Sequence, residues 1–231
     1  MSAKKEKVIL KIRQTVEDKA IEVGIDEAGR GCFWGPMYAG AVVWAPEEDM
    51  SEEQRLIASQ VKDSKKLTPK RRNELAAAIK ELAVAWSVGS VQAAEIDEIG
   101  TTKANQLAFV RALEGLDIEP ERLLIDGILS LHESPWCFLE QVVEPEMDGK
   151  YVPVAAASIL AKTAHDEWVM EYCSRNEHIA ERYDLMSNKG YGTAKHRAGI
   201  LDHGTSKEHR QSYLKKLFAG HAVEDVEEFQ P

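Results

Sequence analysis

The sequence predicts an α/β fold, and three stretches predict it. Residues 21–27 begin as a β-branched strand and end on two adjacent acids, Asp26 and Glu27. Leu123-Leu124-Ile125 is a continuous apolar run of the kind buried inside a sheet, and it also ends on an acid, Asp126. Residues 155–175 form the longest helical pattern, and its start, Ala155-Ala156-Ala157-Ser158, is small enough to lie close against a sheet. Open α/β sheets place their ligands at the carboxyl ends of central strands, which is where these acids fall.

A chain of 231 residues can bury one well-cored domain with a small helical annex. At 44% hydrophobic and 29% charged residues it has the composition of a soluble globular protein, and no apolar run reaches the length of a membrane span. The start, Met1-Ser2-Ala3-Lys4-Lys5-Glu6-Lys7, is basic without a signal-peptide core, so a cytoplasmic protein is expected, and a monomer. Cys32, Cys137 and Cys173 are far apart, with no Cys-x-x-Cys pair, which favours buried free thiols over a disulfide framework or a zinc site. The net charge of −10 argues against indiscriminate nucleic-acid binding. It leaves room for a local basic groove. Between residues 62 and 72 the chain carries Lys62, Lys65, Lys66, Lys70, Arg71 and Arg72 against Asp63 alone, either a solvated helix start or a phosphate-contacting surface.

In chain order, residues 1–20 read as an arm or an edge strand. Residues 21–27 and 36–45 read as an antiparallel pair of strands joined by a glycine-rich turn. A short helix is expected near residues 52–60. Thr68-Pro69 is a strong helix start, because threonine can cap and proline fits the first turn; Leu75, Ala78, Ile79 and Leu82 then share a face up to about residue 83. Residues 84–93 read as a strand, 94–99 and 103–116 as helices, and 128–152 as irregular with an edge strand at 141–143. After the long helix, helices are expected near 194–201 and 206–218, with an acidic flexible tail at 221–231.

The chemistry centres on Asp26-Glu27-Ala28-Gly29-Arg30-Gly31. Adjacent acids at a strand's end point to opposite faces, so packing alone has no use for both, whereas a divalent cation has. An acidic turn is the plain alternative. Gly29 and Gly31 lack a Cβ, so their backbone can approach a ligand, and Arg30 suits phosphate oxygens. Ser158, Lys162 and Asp166 recur every four residues and share a polar face of an otherwise apolar helix; a surface ion pair between Lys162 and Asp166 would also satisfy that spacing. Tyr191 sits in the frame Gly190-Tyr191-Gly192, as a base- or sugar-stacking aromatic or as a cap on the core. If the first and fourth strands are neighbours, Asp26, Glu27 and Asp126 converge, and the long helix can bring Asp166 to them. Clustered carboxylates without His or Cys favour Mg²⁺ or Mn²⁺, and two such ions can clamp an in-line phosphoryl displacement.

The chain resembles the type 2 ribonucleases H, the ribonuclease HII family. The resemblance rests on Asp26-Glu27-Ala28-Gly29-Arg30-Gly31, Gly35-Pro36, Asp63-Ser64-Lys65-Lys66-Leu67, Ile125-Asp126-Gly127, Ala156-Ala157-Ser158-Ile159-Leu160-Ala161-Lys162, Gly190-Tyr191-Gly192-Thr193 through His196, and His209-Arg210-Gln211-Ser212-Tyr213, in that order over roughly residues 20–215. It implies a ribonuclease H-like fold: a mixed five-stranded sheet flanked by helices, with the catalytic core over residues 21–185 and a helical C-terminal annex over 186–220. It implies endonucleolytic cleavage of RNA in RNA–DNA hybrids and nicking of duplex DNA 5′ to embedded ribonucleotides, leaving 5′-phosphate and 3′-hydroxyl ends. By the same resemblance, Asp26, Glu27, Asp126 and Asp166 are the metal ligands and catalytic acids. Gly29, Arg30 and Gly31 read the ribose 2′-OH, Tyr191 stacks on the sugar at the junction, and Ser64, Lys65 and Lys162 contact phosphates.

Three departures from the family pattern stand out. His165 replaces the usual arginine before the last acid, with consequences for a phosphate contact or a salt bridge. Residues 128–155 form a long segment in which Asp148 is a fifth acid near the site. Cys32-Phe33-Trp34 is bulkier than usual after the glycine turn. Gln211-Ser212-Tyr213-Leu214-Lys215-Lys216-Leu217-Phe218 resembles a sliding-clamp-binding box, but Leu217 stands where an aromatic is usual and the block overlaps the family's C-terminal helix. Two rival functions remain at this level: a non-catalytic hybrid-binding module, and a related metal nuclease with another substrate.

Overall fold

The computed structural model describes residues 20–61 and 67–227, the last seven by their backbone alone. The expected N-terminal arm and the basic loop with Ser64 and Lys65 therefore lie outside the described residues, apart from residue 20. Five strands make one mixed sheet: β1 (Glu22–Ala28), β2 (Met37–Val43), β3 (Ala85–Val91), β4 (Arg122–Asp126) and β5 (Glu140–Glu144), in the spatial order β3-β2-β1-β4-β5. The first three pair antiparallel, and β4 runs parallel to both β1 and β5. Register pairs Ile25 with Ile125. The next residues along the two parallel strands, Asp26 near the end of β1 and Asp126 at the end of β4, therefore stand level with each other.

Strand alternation sorts the two cores. Val23 and Ile25 of β1, with Met37, Ala39 and Ala41 of β2, pack on Ala104, Ala108 and Phe109 of α4 (Thr101–Glu114). Val42 points the other way, into a cluster with Ala156, Ile159 and Leu160 of α5 (Val152–Arg175) and Leu75 and Ile79 of α2 (Pro69–Leu82). The start of α5 lies hard against the sheet because the facing strand positions are glycines. A Cβ on Gly40 would stand 2.3 Å from the Ala157 carbonyl oxygen, and one on Gly24 2.2 Å from the Pro153 carbonyl carbon. Backbone on both sides cannot give way, so Gly40→Ala is expected to cost on the order of 3 kcal/mol, read as a lower midpoint in denaturant with an unchanged slope.

Two smaller helices, α1 (Glu52–Ala58) and α3 (Ala93–Ile99), fall where the pattern put them, and Thr68 caps α2 as expected. Other boundaries differ. Helix α5 starts at Val152 rather than 155, with Pro153 in its first turn, where a missing N–H costs nothing. Residues 128–152 include β5 and a 3-10 turn at Met147–Gly149.

The helical C-terminal part holds α6 (Glu177–Arg182), α7 (Leu185–Asn188), α8 (Ala194–His203) and α9 (Gln211–Glu227). Its apolar cluster joins Tyr183, Leu185, Ile200 and Leu214 to Val169 and Cys173 on the second half of α5, and to Trp34. The annex core thus begins inside the long helix. Helix α9 starts at Gln211, not near 206, and its cap comes from α3. The Asp97 carboxylate accepts from the backbone N–H of Gln211 at 2.7 Å and of Ser212 at 2.9 Å. Residues before it are drawn instead to the 33–35 segment, where Gly35 N–H donates to Glu208 and Arg210 N–H to Phe33. The helix then continues to Glu227, through most of the stretch expected as a flexible tail. Among the described residues no helix is long and apolar enough to cross a membrane.

Candidate active site

At the carboxyl ends of β1 and β4 lies a cleft of about 380 Å³, lined by Asp26, Glu27, Ala28, Arg72, Asp126, Ser158, Lys162 and Tyr191. Alternation along β1 splits its two acids as expected. Asp26 falls on the α5 face and accepts from the Ser158 hydroxyl; Glu27 falls on the α4 face, opposite the buried amide of Asn105. Asp126 is held by the Met147 N–H, which donates to its Oδ1 at 2.7 Å. Asp148 sits in that same 3-10 turn.

The electrostatics are those of crowded acids. Burial drives the Asp26 carboxyl up to about 8, and the neighbouring charges of Glu27 and Asp126 add to it against the Ser158 bond. Glu27 is raised by burial as well, with Arg30 and Asn105 opposing. Without a cation this trio cannot be fully ionised near neutrality.

Asp166 behaves in the opposite way. Burial would raise it, yet hydrogen bonds from His165 and Lys162 hold it down at about 2. Its Oδ1 is 2.8 Å from Lys162 Nζ and its Oδ2 is 2.8 Å from the Arg72 guanidinium. The structure thus gathers Asp26, Glu27 and Asp126 and binds Asp166 to two cations that themselves line the cleft. As the side chains stand, no three acidic, His or Cys groups among the described residues form a ready-made metal site. The donor set still fits a hard divalent ion. It is all oxygen, and a cation would relieve the repulsion that raises Asp26.

The remaining candidates are placed as follows. Gly29 has φ +78°, and a Cβ there would meet the His165 ring at 2.6 Å, so its glycine answers to the interior; Gly31 faces open space. Arg30 is 3.7 Å from Glu27, and its carbonyl accepts from Arg210 Nη1 and from the Tyr213 hydroxyl, both at 3.0 Å. The Gly-Arg-Gly turn is therefore held from beneath by the annex. Tyr191 is 38% exposed at the cleft, so it is not a cap on the core, and Lys162 Nζ lies 5.2 Å from the centre of its ring. His165 is fully buried, with Nδ1 3.1 Å from Asp166 and Nε2 3.6 Å from the Cys32 thiol. Its contact with Asp166 is an interior hydrogen bond, and burial lowers its pKa. The bulky residues after the turn serve packing: Phe33 lies under Arg197, and Trp34 meets Tyr172 edge-on at 4.9 Å.

Four residues of the site were not singled out as such from sequence. Arg72 was hidden in a basic run; among the described residues of that run it is the one that turns inward. Ser158 was noted on a polar helix face without a partner. Asn105, on the apolar face of α4, gave no local signal beyond being polar in apolar surroundings, and Arg210, fully buried at the root of the turn, entered only within the motif His209-Arg210-Gln211-Ser212-Tyr213.

Comparison with known proteins agrees with this geometry. A family model described as Ribonuclease HII matches residues 23–219. A ribonuclease HII of Bacteroides thetaiotaomicron is 44% identical over 193 residues, covering 84% of this chain and 89% of that one. Among solved structures, the ribonuclease H2 of Pyrococcus horikoshii matches with a TM-score of 0.69 at 26% identity, covering 87% of this chain and 98% of that one. The ribonuclease HII of an Archaeoglobus fulgidus complex with PCNA matches with a TM-score of 0.64 at 28% identity, covering 85% of this chain and 96% of that one. The fold is ribonuclease H-like, and the chain belongs to the ribonuclease HII family of metal-dependent endoribonucleases.

Proposed function

We propose that this enzyme hydrolyses RNA in RNA–DNA hybrids and nicks duplex DNA 5′ to embedded ribonucleotides, leaving 5′-phosphate and 3′-hydroxyl ends. The observation that carries the reading is the convergence of Asp26, Glu27 and Asp126 at the ends of parallel strands, in one cleft with Lys162, Arg72 and Tyr191. Asp26, Glu27, Asp126 and Asp166 would hold two divalent ions, Mg²⁺ or Mn²⁺. Bound there, such ions supply activation of the attacking water and charge stabilisation at the leaving oxygen.

The chain's own groups do the rest. Lys162 and Arg72 present positive charge to a phosphate entering the cleft, and each is freed for it when Asp166 turns to a cation. The Gly29-Arg30-Gly31 turn offers backbone to the ribose 2′-OH, the group that separates RNA from DNA. Tyr191 supplies a flat face for the sugar beside it. Ser64 and Lys65 join them as phosphate contacts on the strength of the family motif.

The nucleic acid is the partner this reading needs. The 211–218 block that resembles a clamp-binding box is here part of α9, with Leu214 fully buried and Tyr213 bonded to Arg30. The test is nicking of a DNA duplex bearing one ribonucleotide, run with Mg²⁺ and Mn²⁺ separately. A single cut 5′ to the ribonucleotide, dependent on either ion, is expected. Equal cutting of an all-DNA duplex would favour a nuclease of different substrate and remove the role given to the glycine turn.

A further inference from the structure

Two buried imidazoles, His196 and His209, are not used by the chemistry above. His196 stands in the first turn of α8 and His209 just before α9; both are buried, and neither lines the cleft. Their Nε2 atoms face each other at 3.1 Å, so one donates and the other accepts. Backbone groups fix which. The Ser206 N–H donates to His209 Nδ1 at 2.8 Å, so that nitrogen carries no proton and the His209 proton is on Nε2. At the other end the Tyr191 carbonyl, 3.0 Å from His196 Nδ1, can only accept, so the His196 proton is on Nδ1. The Ser206 hydroxyl, 3.0 Å from His209 Nδ1, accepts from Trp34 Nε1, also at 3.0 Å. One directional chain of hydrogen bonds thus runs from Trp34 to the carbonyl of Tyr191.

We propose that His196 and His209 are positioning residues that set the Tyr191 loop against the Gly-Arg-Gly turn and so set the preference for an isolated ribonucleotide. The inference rests on the reading of Tyr191 as the residue that packs on the sugar. Residues 32–35, which follow directly from the turn, form a ribbon between both partners. Cys32 bridges to Tyr191 and Trp34 to His209, while the Phe33 N–H donates to the Gly190 carbonyl and the Phe33 carbonyl accepts from the Arg210 N–H. The histidine pair joins the two segments that flank residues 32–35, the Tyr191 loop and the His209 segment, to each other. Residues 32–35 lie more than 150 residues before both.

The chain needs both rings neutral. Asp184 alone among nearby acids favours a charged His196. Tyr183 lies edge-on to His209 at 4.6 Å, with its hydroxyl spent on the Gly204 carbonyl; Arg197 is drawn to Phe33, and Arg210 to the Gly35 and Arg30 carbonyls. Burial lowers both imidazoles, and His209 is pushed down to about 4 by burial and by His196. A proton added to either ring sets N–H against N–H. With the folded pKa of His209 below its ordinary 6.5, its contribution to stability is complete above 6.5 and is lost as pH falls through about 4.

The experiment compares nicking at one embedded ribonucleotide with cleavage of a long hybrid, in wild type, Tyr191→Ala, His209→Phe and His209→Gln. His209→Phe keeps a ring against Tyr183 and deletes the chain; His209→Gln keeps a donor for His196. His209→Phe is expected to lower single-ribonucleotide nicking about tenfold, the rate equivalent of one well-placed hydrogen bond, with long-hybrid cleavage unchanged and His209→Gln recovering most of the loss. A wild-type preference in His209→Phe, with the preference lost in Tyr191→Ala, overturns the positioning role and leaves the Tyr191 reading intact. A preference kept in Tyr191→Ala overturns both. Nitrogen NMR of the wild type decides independently of whether the variants fold. Protons on His196 Nδ1 and His209 Nε2, with His196 Nε2 and His209 Nδ1 still unprotonated below the pH at which a free imidazole charges, support the inference, and the opposite tautomer in either ring overturns it.

Discussion

Asp26→Asn abolishes cleavage, by on the order of a thousandfold or more, while binding of the hybrid survives. The substitution removes a ligand oxygen and its charge from the centre of the cleft and leaves Lys162, Arg72 and Tyr191 in place. It also carries a sign that a merely damaged fold would not. Asp26 is driven up to about 8 by burial and by the charges of Glu27 and Asp126, well above the ordinary 3.8. A group raised in this way contributes its full stability below 3.8, where the unfolded carboxyl is also protonated, and loses it as pH rises through about 8. A neutral amide of the same shape escapes that loss. The variant is therefore expected to melt at a higher temperature than wild type near pH 7 in the presence of a chelator, while losing activity when Mg²⁺ is supplied. Calorimetry and the nicking assay read the two halves. A lower melting temperature together with lost activity would point to misfolding instead.

Tyr191→Ala is the second large effect. Stacking of one base or sugar on an aromatic ring is worth roughly tenfold to a hundredfold by alanine substitution. The ring is positioned for that contact, at the cleft with Lys162 beneath its face. Nicking at a single embedded ribonucleotide should fall by that factor, and cleavage of a continuous RNA strand should fall less, because neighbouring ribonucleotides offer other registers. Equal losses on both substrates would remove Tyr191 from junction recognition and leave it a general contact.

Much of this was legible in the chain before folding. The strand–acid pattern placed Asp26 and Asp126 at the ends of two strands, and the parallel register of β1 with β4 brings them level. The small-residue start of the long helix fits the glycines of the facing strands. What sequence could not show is what depends on contacts between distant segments. The cap of α9 is Asp97, more than a hundred residues earlier, so the helix start was placed too soon. Arg72 was one cation among six until the fold turned it towards Asp166. The sequence left open whether a phosphate contact or a salt bridge changes at His165; its flat ring lies in the interior, between Gly29, Cys32 and Tyr38. The acidic tail was expected to be flexible; α9 runs through its first seven residues.

In the proposed site the four carboxylates would close on divalent ions, with Asp166 leaving Arg72 and Lys162 to do so. The test is a crystal soaked in Mn²⁺, with the ions located by their anomalous scattering. Manganese is expected in the cleft, bound by oxygens of Asp26, Glu27, Asp126 and Asp166, with the Asp166–Arg72 ion pair broken. Manganese absent from the cleft, or bound there while Asp166 keeps both of its cations, would contradict it.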